Sequence, residues 1–363
     1  FPYEQKVASS SEGKNVVFIL LESWSAKYID ALSHNNYGVT PNFDALASQG
    51  EFYTNFYATG QRSIQGIQAS LTSIPPFSGL PTLGTGLEVY DVSKIANMAR
   101  ELSYETLFVQ SSKRRSFRMD AIANALGFEH YFGMEDMQPI LDYPNPKGSK
   151  FGWDYETLML AKEKIDKFNK PFFTYIFTGT THVPYPYLPK QFEKYEHSQN
   201  SEEGFLNTLY YADWAVGEFM KEAEKMPWYE NTVFIFTADH CLGAFSNGSF
   251  LDKFHTPFLI FEPSKKQASI NRNVASQLDI MPTIASLIGY EKPFSALGTN
   301  LRGEHKARAV LNENNTLGFV TNQGYIRDTL EQVVESNIEN EDVKHSHEKR
   351  LHANYQLINT LLK

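Results

Sequence analysis

The sequence predicts an α/β fold in which a mostly parallel central sheet is flanked by helices, with a small α+β subdomain at the C-terminal end. Three observations carry that expectation. The runs 15–21, 171–177 and 232–236 are continuous and apolar, rich in β-branched or aromatic side chains, as strands buried on both faces are. Each run hands the chain to a chemically capable residue: Glu22, then a Thr/Gly cluster leading to His182, then Asp239 and His240. Segments with helical spacing separate the runs, and open α/β sheets of this kind place their ligand sites at the carboxyl ends of the strands.

The elements follow in order. NVVFILL at 15–21 opens the sheet, and a helix is expected at 41–48. Small and polar residues at 58–63 lead into a helix carrying Ile64, Ile67 and Leu71, with Ser63 at its start. Helices at 92–102 and 154–168 precede the strand at 171–177. A long helix at 202–225 presents Leu206, Leu209, Tyr210, Trp214, Val216, Phe219 and Met220 near helical spacing. The strand at 232–236, another at 256–261 and a helix at 282–288 complete this unit. After about Gly298 the texture changes to short strand candidates at 309–311, 318–321 and 325–327, an acidic stretch at 331–342 and a final helix at 347–362. The chain therefore divides into a main α/β domain, 15–297, and a small C-terminal subdomain, 298–363. No internal repeat or low-complexity linker interrupts it.

Composition narrows the function. The chain has 363 residues, 42% hydrophobic and 21% charged, as an ordinary globular protein with a large core has. A net charge of -9, with no basic block beyond Lys113-Arg114-Arg115, excludes a nucleic-acid binder, which needs a basic footprint. The solitary Cys241 excludes an intrachain disulfide and suits either a reducing compartment or an exported protein. No apolar run approaches the roughly 20 residues that span a bilayer. The start, Phe1-Pro2-Tyr3-Glu4, resembles neither a signal peptide nor a natural initiator, and residues 1–14 read as a linker.

Chemistry concentrates after the strands. A carboxylate directly behind a buried strand, as Glu22 is, either caps a loop or is paired with a cation. Asp239 and His240 are adjacent after another such strand, and a turn there aims both side chains into one pocket. Together the three supply two hard oxygens and one imidazole nitrogen, lacking only a fourth ligand to hold Mn2+, Mg2+ or Zn2+. Ser63 is the candidate for that place. Serine at a helix start serves as an N-cap for hydrogen-bonding reasons alone. The same position, with backbone N–H groups and a partial positive charge facing outward, also suits a nucleophile attacking phosphorus.

The segments LLES (20–23), TGQRS (59–63), TTHVPY (180–185), FTADH (236–240), HTPFLIF (255–261) and QLDIMPTIASLIG (277–289) stand in the order seen in the alkaline phosphatase and sulfatase superfamily. They are most similar to its lipoteichoic acid synthase branch, over about residues 15–290. The resemblance implies that superfamily's fold and one Mn2+ bound by Glu22, Ser63, Asp239 and His240, with Ser63 in the place of the branch's threonine nucleophile. It implies that His182 contacts the substrate phosphate and that Arg62, beside the nucleophile, joins the substrate site. SFRMDAI (116–122) falls where the branch has an aromatic residue and an arginine around the lipid head group, which makes Arg118 a candidate and Arg115 its rival. His255, beside Lys253, is placed either on the pocket rim or simply before a strand.

Two relatives are set aside. Formylglycine sulfatases need Pro-X-Arg shortly after the nucleophile, whereas Ser63 is followed by Ile64-Gln65-Gly66. Two-metal phosphatases need further ligands, and the six residues before His182 contain no Asp. The resemblance thus implies a metal-dependent phosphoglycerol transferase at the extracytoplasmic face of a membrane, with residues 1–14 the linker from a membrane anchor. It would take a phospholipid head group through a phospho-serine intermediate to a hydroxyl acceptor on a glycan or polymer. Phosphoethanolamine transfer, phosphodiester hydrolysis and a catalytically silent lipid-binding module are the alternatives. Disulfide-rich soluble domains are common among phosphoethanolamine transferases, against which Cys241 stands alone.

Overall fold

A seven-residue apolar run can satisfy its backbone and hide both faces only in the middle of a sheet, and that is where the first strand lies. The computed structural model describes residues 4–5, 13–145, 149–245, 248–265 and 267–362. Most of the expected linker, 1–14, lies outside the described residues.

Among the described residues, eight strands form the main sheet: β1 (Asn15–Leu21), β2 (Glu51–Tyr53), β3 (Glu105–Gln110), β4 (His130–Phe132), β5 (Phe172–Phe177), β6 (Thr232–Ala238), β7 (Phe258–Phe261) and β8 (Ser269–Asn271). Their order across the sheet is β8-β2-β7-β6-β1-β5-β3-β4. All pairings are parallel except those of β7, which runs against β6 and β2. The sheet is therefore mostly parallel, as expected. The runs at 15–21, 171–177 and 232–236 become β1, β5 and β6, adjacent at its centre.

Residues of β1 alternate between two cores. Val16, Phe18 and Leu20 join one hydrophobic cluster, and Val17, Ile19 and Leu21 join the other. The second cluster receives helices α1 (Pro41–Ala47), α5 (Asp154–Ile165) and α6 (Glu202–Ala223). The first receives α2 (Ser63–Thr72), α3 (Ile95–Glu101), α4 (Met119–Leu126) and α7 (Ile280–Leu287). Pro41 opens α1, and the buried Asp213 of α6 accepts hydrogen bonds from the Asn42 and Phe43 N–H groups at the same helix start. α4, β2, β3, β4 and β8 were not anticipated; three of these strands have only three residues, too short for a periodicity signal.

The C-terminal segment forms an antiparallel sheet, β9 (Arg308–Glu313), β10 (Thr316–Thr321), β11 (Gly324–Asp328) and β12 (Val333–Ser336), crossed by helix α8 (Glu341–Leu361). The expected acidic stretch contains β12. The helix starts earlier than expected because the Asn340 side chain accepts from the Asp342 and Val343 N–H groups. Val310, Phe319, Ile326, Leu351 and Ile358 pack into the same cluster as α2 and α7. From β9, the Asn312 N–H donates to the Thr59 carbonyl at 2.8 Å, on the turn that leads to Ser63. Among the described residues, no helix is long and apolar enough to cross a membrane.

Candidate metal centre and nucleophile

Register assembles the site. Leu21 of β1 pairs with Ala238 of β6, and Leu20 with Phe177 of β5, so Glu22, Asp239 and Thr178 leave the sheet side by side. Glu22 donates its N–H to Thr178 Oγ1 at 3.0 Å, and its carbonyl accepts from Thr181 Oγ1. Ser23 takes a left-handed conformation, φ 61°, which turns its N–H onto Asp239 Oδ1 at 2.8 Å. His240 N–H donates to the same oxygen, also at 2.8 Å. With Oδ1 engaged twice, Oδ2 is buried without a hydrogen-bond partner, 3.3 Å from His240 Nε2. His240 Nδ1 lies 2.7 Å from the Cys241 carbonyl, which assigns the proton to Nδ1 and leaves the Nε2 lone pair facing the carboxylates.

One ligand atom from each of Glu22, Asp239 and His240 lies within 4.8 Å of the others. Burial, reinforced by the nearby Asp239 charge, holds the Glu22 carboxyl well above the usual carboxylate range. Two buried carboxylates, an orphaned oxygen and an imidazole lone pair converging on one point fit a divalent cation and are costly without one.

Ser63 is the first residue of α2, with Arg62 in the cap position. Its hydroxyl faces the cluster, 3.3 Å from Glu22 Oε2 and 3.5 Å from His240 Nε2. The helix can sit this close because of Gly66: a Cβ there would lie 2.2 Å from the Asp239 carbonyl oxygen. A second tie is the fully buried amide of Gln277. It donates to the Ala238 and Asp239 carbonyls, both at 2.8 Å, and accepts from Thr59 N–H at 3.0 Å. Gln277 opens the segment 277–289, but nothing in the sequence marked it as the clasp between the turn at 59–63 and the β6 end. Replacing Gln277 by Glu removes the donor to two buried carbonyls. Urea denaturation is expected to show a loss of about 2–4 kcal/mol; a loss below about 0.5 kcal/mol would show that the clasp is dispensable.

The cluster opens into a cavity of about 450 Å3 whose walls mix polar side chains with apolar ones such as Ile64, Phe117, Met119 and Phe151. Ser63, Arg62 and His182 line it. The His182 ring packs on Phe151 at 3.8 Å between centroids, and burial pushes its pKa down. Arg118 does not join them: Phe117 and Arg118 are both left-handed, and Arg118 is left exposed while Phe117 takes the cavity wall. Arg115 is exposed beside Asp120, 3.8 Å away. His255 bonds through Nε2 to the Thr54 carbonyl at 2.8 Å and lines a separate cavity with Tyr28 and Asp252.

Behind His182, buried Asp154 accepts from the Gly179 and Thr180 N–H groups through Oδ1 and leaves Oδ2 without a hydrogen-bond partner. Desolvation outweighs the two accepted bonds and pushes its pKa up to about 6 from 3.8. A carboxyl held above its unfolded value costs the fold nothing below pH 3.8, and destabilises it increasingly as pH rises towards 6. The full cost above that window is about 3 kcal/mol. Asp154→Asn keeps an acceptor for both N–H groups, so its stability relative to wild type is expected to rise by that amount between pH 4 and pH 7.5. Equal differences at both pH values in urea titrations would rule this out.

The chain is similar to several known proteins. Lipoteichoic acid synthase of Staphylococcus saprophyticus is 26% identical over 328 residues, covering 80% of this chain and 48% of that protein. Phosphoglycerol transferase I of Salmonella typhi is 23% identical over 314 residues, covering 82% of this chain and 40% of that protein. The chain thus spans half or less of the length of these relatives. A solved structure of an alkaline phosphatase superfamily protein from Vibrio parahaemolyticus superposes with a TM-score of 0.82 at 25% identity, covering 99% of this chain and 91% of the other. The fold is that of the alkaline phosphatase superfamily. A sulfatase family model matches residues 14–290, a span that takes in β1 through α7 and all of Glu22, Ser63, His182, Asp239, His240 and Gln277, and the chain belongs to the sulfatase family.

Proposed function

We propose that this chain is the catalytic part of a metal-dependent phosphoglycerol transferase acting on a phosphatidylglycerol-type lipid at the extracytoplasmic face of a membrane. The observation that carries the reading is the Ser63 hydroxyl, set at a helix N-terminus against Glu22 and His240 in the wall of a half-apolar cavity. The similar lipoteichoic acid synthase and phosphoglycerol transferase I favour phosphoglycerol as the group transferred. Residues 15–297 would perform the chemistry and 298–363 would support it.

Glu22, Asp239, His240 and Ser63 would hold one divalent cation, Mn2+ by resemblance with Mg2+ or Zn2+ as alternatives, which supplies positive charge favouring loss of the serine proton. Ser63 Oγ attacks phosphorus: the Oγ–P bond forms and the bond from phosphorus to the diacylglycerol oxygen breaks. The serine proton passes to water, and the departing oxygen takes one from water. N–H groups in the first turn of α2, with His182 and Arg62, stabilise the charge that builds on the non-bridging oxygens. A hydroxyl of an envelope glycan or growing polymer would then attack the same phosphorus: its O–P bond forms, the Oγ–P bond breaks, the acceptor's proton passes to water and Oγ regains one from water. Neither Arg118 nor His255 lines this cavity, and the proposal assigns them no step. Lipoteichoic acid synthase-like chemistry needs no modified residue, and Ser63 lacks the Pro-X-Arg that formylglycine formation requires.

The test is release of diacylglycerol from head-group-labelled phosphatidylglycerol, in the presence of Mn2+, Mg2+ or Zn2+ and an acceptor alcohol. Metal-dependent release with label on the acceptor supports the proposal. Label found only in water indicates a phosphodiesterase, and release confined to phosphatidylethanolamine indicates a phosphoethanolamine transferase. No release from either lipid with any of the metals leaves a silent lipid-binding module.

A further inference from the structure

On the C-terminal sheet, far along the chain from Ser63, a second set of ligand-type side chains converges. Asp328 ends β11 at a break in its register with β12, an irregularity that re-aims a strand side chain. Its side chain is fully buried. Oδ1 lies 3.1 Å from His352 Nε2, and Oδ2 is buried without a hydrogen-bond partner. Glu348 and His352 are four residues apart on α8, so they share one helix face, the face turned to β11. One ligand atom from each of Asp328, Glu348 and His352 lies within 4.8 Å of the other two.

An ion pair with protonated His352 would answer only one of these facts. It leaves Oδ2 orphaned in a place where an unpaired carboxylate oxygen is costly, and it leaves the Glu348 charge beside the Asp328 charge. His345, one turn earlier, pairs with Glu348 through its Nδ1 at 3.1 Å but is exposed, and so screens that carboxylate weakly. A cation in the middle gives Oδ2 a partner and offsets both carboxylates at once.

We propose that Asp328, Glu348 and His352 form a structural divalent-cation site, separate from the Ser63 centre, that clamps α8 to β11. Two carboxylates and one imidazole, with water completing the shell, form a donor set suited to Zn2+. The clamp fixes the helix whose Leu351 and Ile358 enter the core shared with α2.

Zn2+ alone is the probe, added to the EDTA-stripped full chain carrying Glu22→Ala so that the first centre does not contribute. Metal analysis after gel filtration is expected to find one Zn2+ per chain, with a melting temperature raised by about 2 °C or more at saturating Zn2+. Adding His352→Gln, or separately Glu348→Gln on the half-exposed helix face, is expected to abolish both the bound Zn2+ and the shift. No Zn2+ in the Glu22→Ala chain, or Zn2+ retained in both double variants, overturns the proposal. Circular dichroism of the stripped double variants, expected to match that of stripped Glu22→Ala, separates loss of the site from loss of the fold.

Discussion

Ser63→Ala is expected to lower turnover of phosphatidylglycerol by at least about 10⁴-fold, the scale on which removing a covalent nucleophile acts. Stability should stay within about 0.5 kcal/mol of wild type. The two effects separate because the hydroxyl makes only long contacts, 3.3 Å to Glu22 and 3.5 Å to His240, and does not cap α2. A purely structural serine would behave in the opposite way, weakening the fold and sparing the chemistry. Ser63→Thr restores the hydroxyl and is expected to retain activity within about 10-fold, since only one methyl is added. Mass spectrometry of wild type quenched during turnover should find phosphoglycerol on the peptide containing Ser63 and none on the Ala variant. Comparable turnover in Ser63→Ala and wild type would remove Ser63 from the mechanism.

Asp239→Asn is the second large effect, and its signature is a gain as well as a loss. The asparagine oxygen can keep the N–H bonds from Ser23 and His240. Its NH2 group then occupies the place of the orphaned Oδ2, which removes a charge and an anionic ligand. Mn2+ affinity by calorimetry is expected to fall by about 10²-fold or more, and turnover by about 10³-fold. The metal-free variant should be more stable than metal-free wild type by about 1–2 kcal/mol, because the repulsion that raises Glu22 is relieved. Loss of activity with unchanged Mn2+ affinity would contradict the assignment of Asp239 as a ligand.

The parts of this molecule legible in its sequence are those where a buried strand ends. β1, β5 and β6 are continuous apolar runs, and the residues beyond them had to be paired or functional because charge is costly there. Strand direction is not written in such runs, so β7 was anticipated as a strand but not as the reversed one. β3, with Glu105, Thr106 and Gln110 in six residues, lacked the continuity that marked its neighbours. Within the site, Glu22, Asp239 and His240 stood out by their places behind buried strands, whereas Ser63 read equally as an N-cap until the family resemblance singled it out. Gln277 and Asp154 did not, because each acts on backbone groups of distant segments and no local pattern encodes such a partner. Arg118 was displaced by a local backbone choice: two successive left-handed residues at 117 and 118, rare for side chains of that size, turn the aromatic ring rather than the guanidinium to the cavity.

The backbone of one residue, Thr59, is held from two sides, its N–H by Gln277 and its carbonyl by Asn312 of the C-terminal sheet. This bears on how such an enzyme can diverge. The C-terminal sheet is not a cassette that can be swapped between relatives at a convenient boundary, because β9 is tied to Thr59, four residues before Ser63. A chimera that joins one member's first three hundred residues to another's tail is therefore expected to keep Ser63 in place only where the backbone bond from position 312 to Thr59 re-forms.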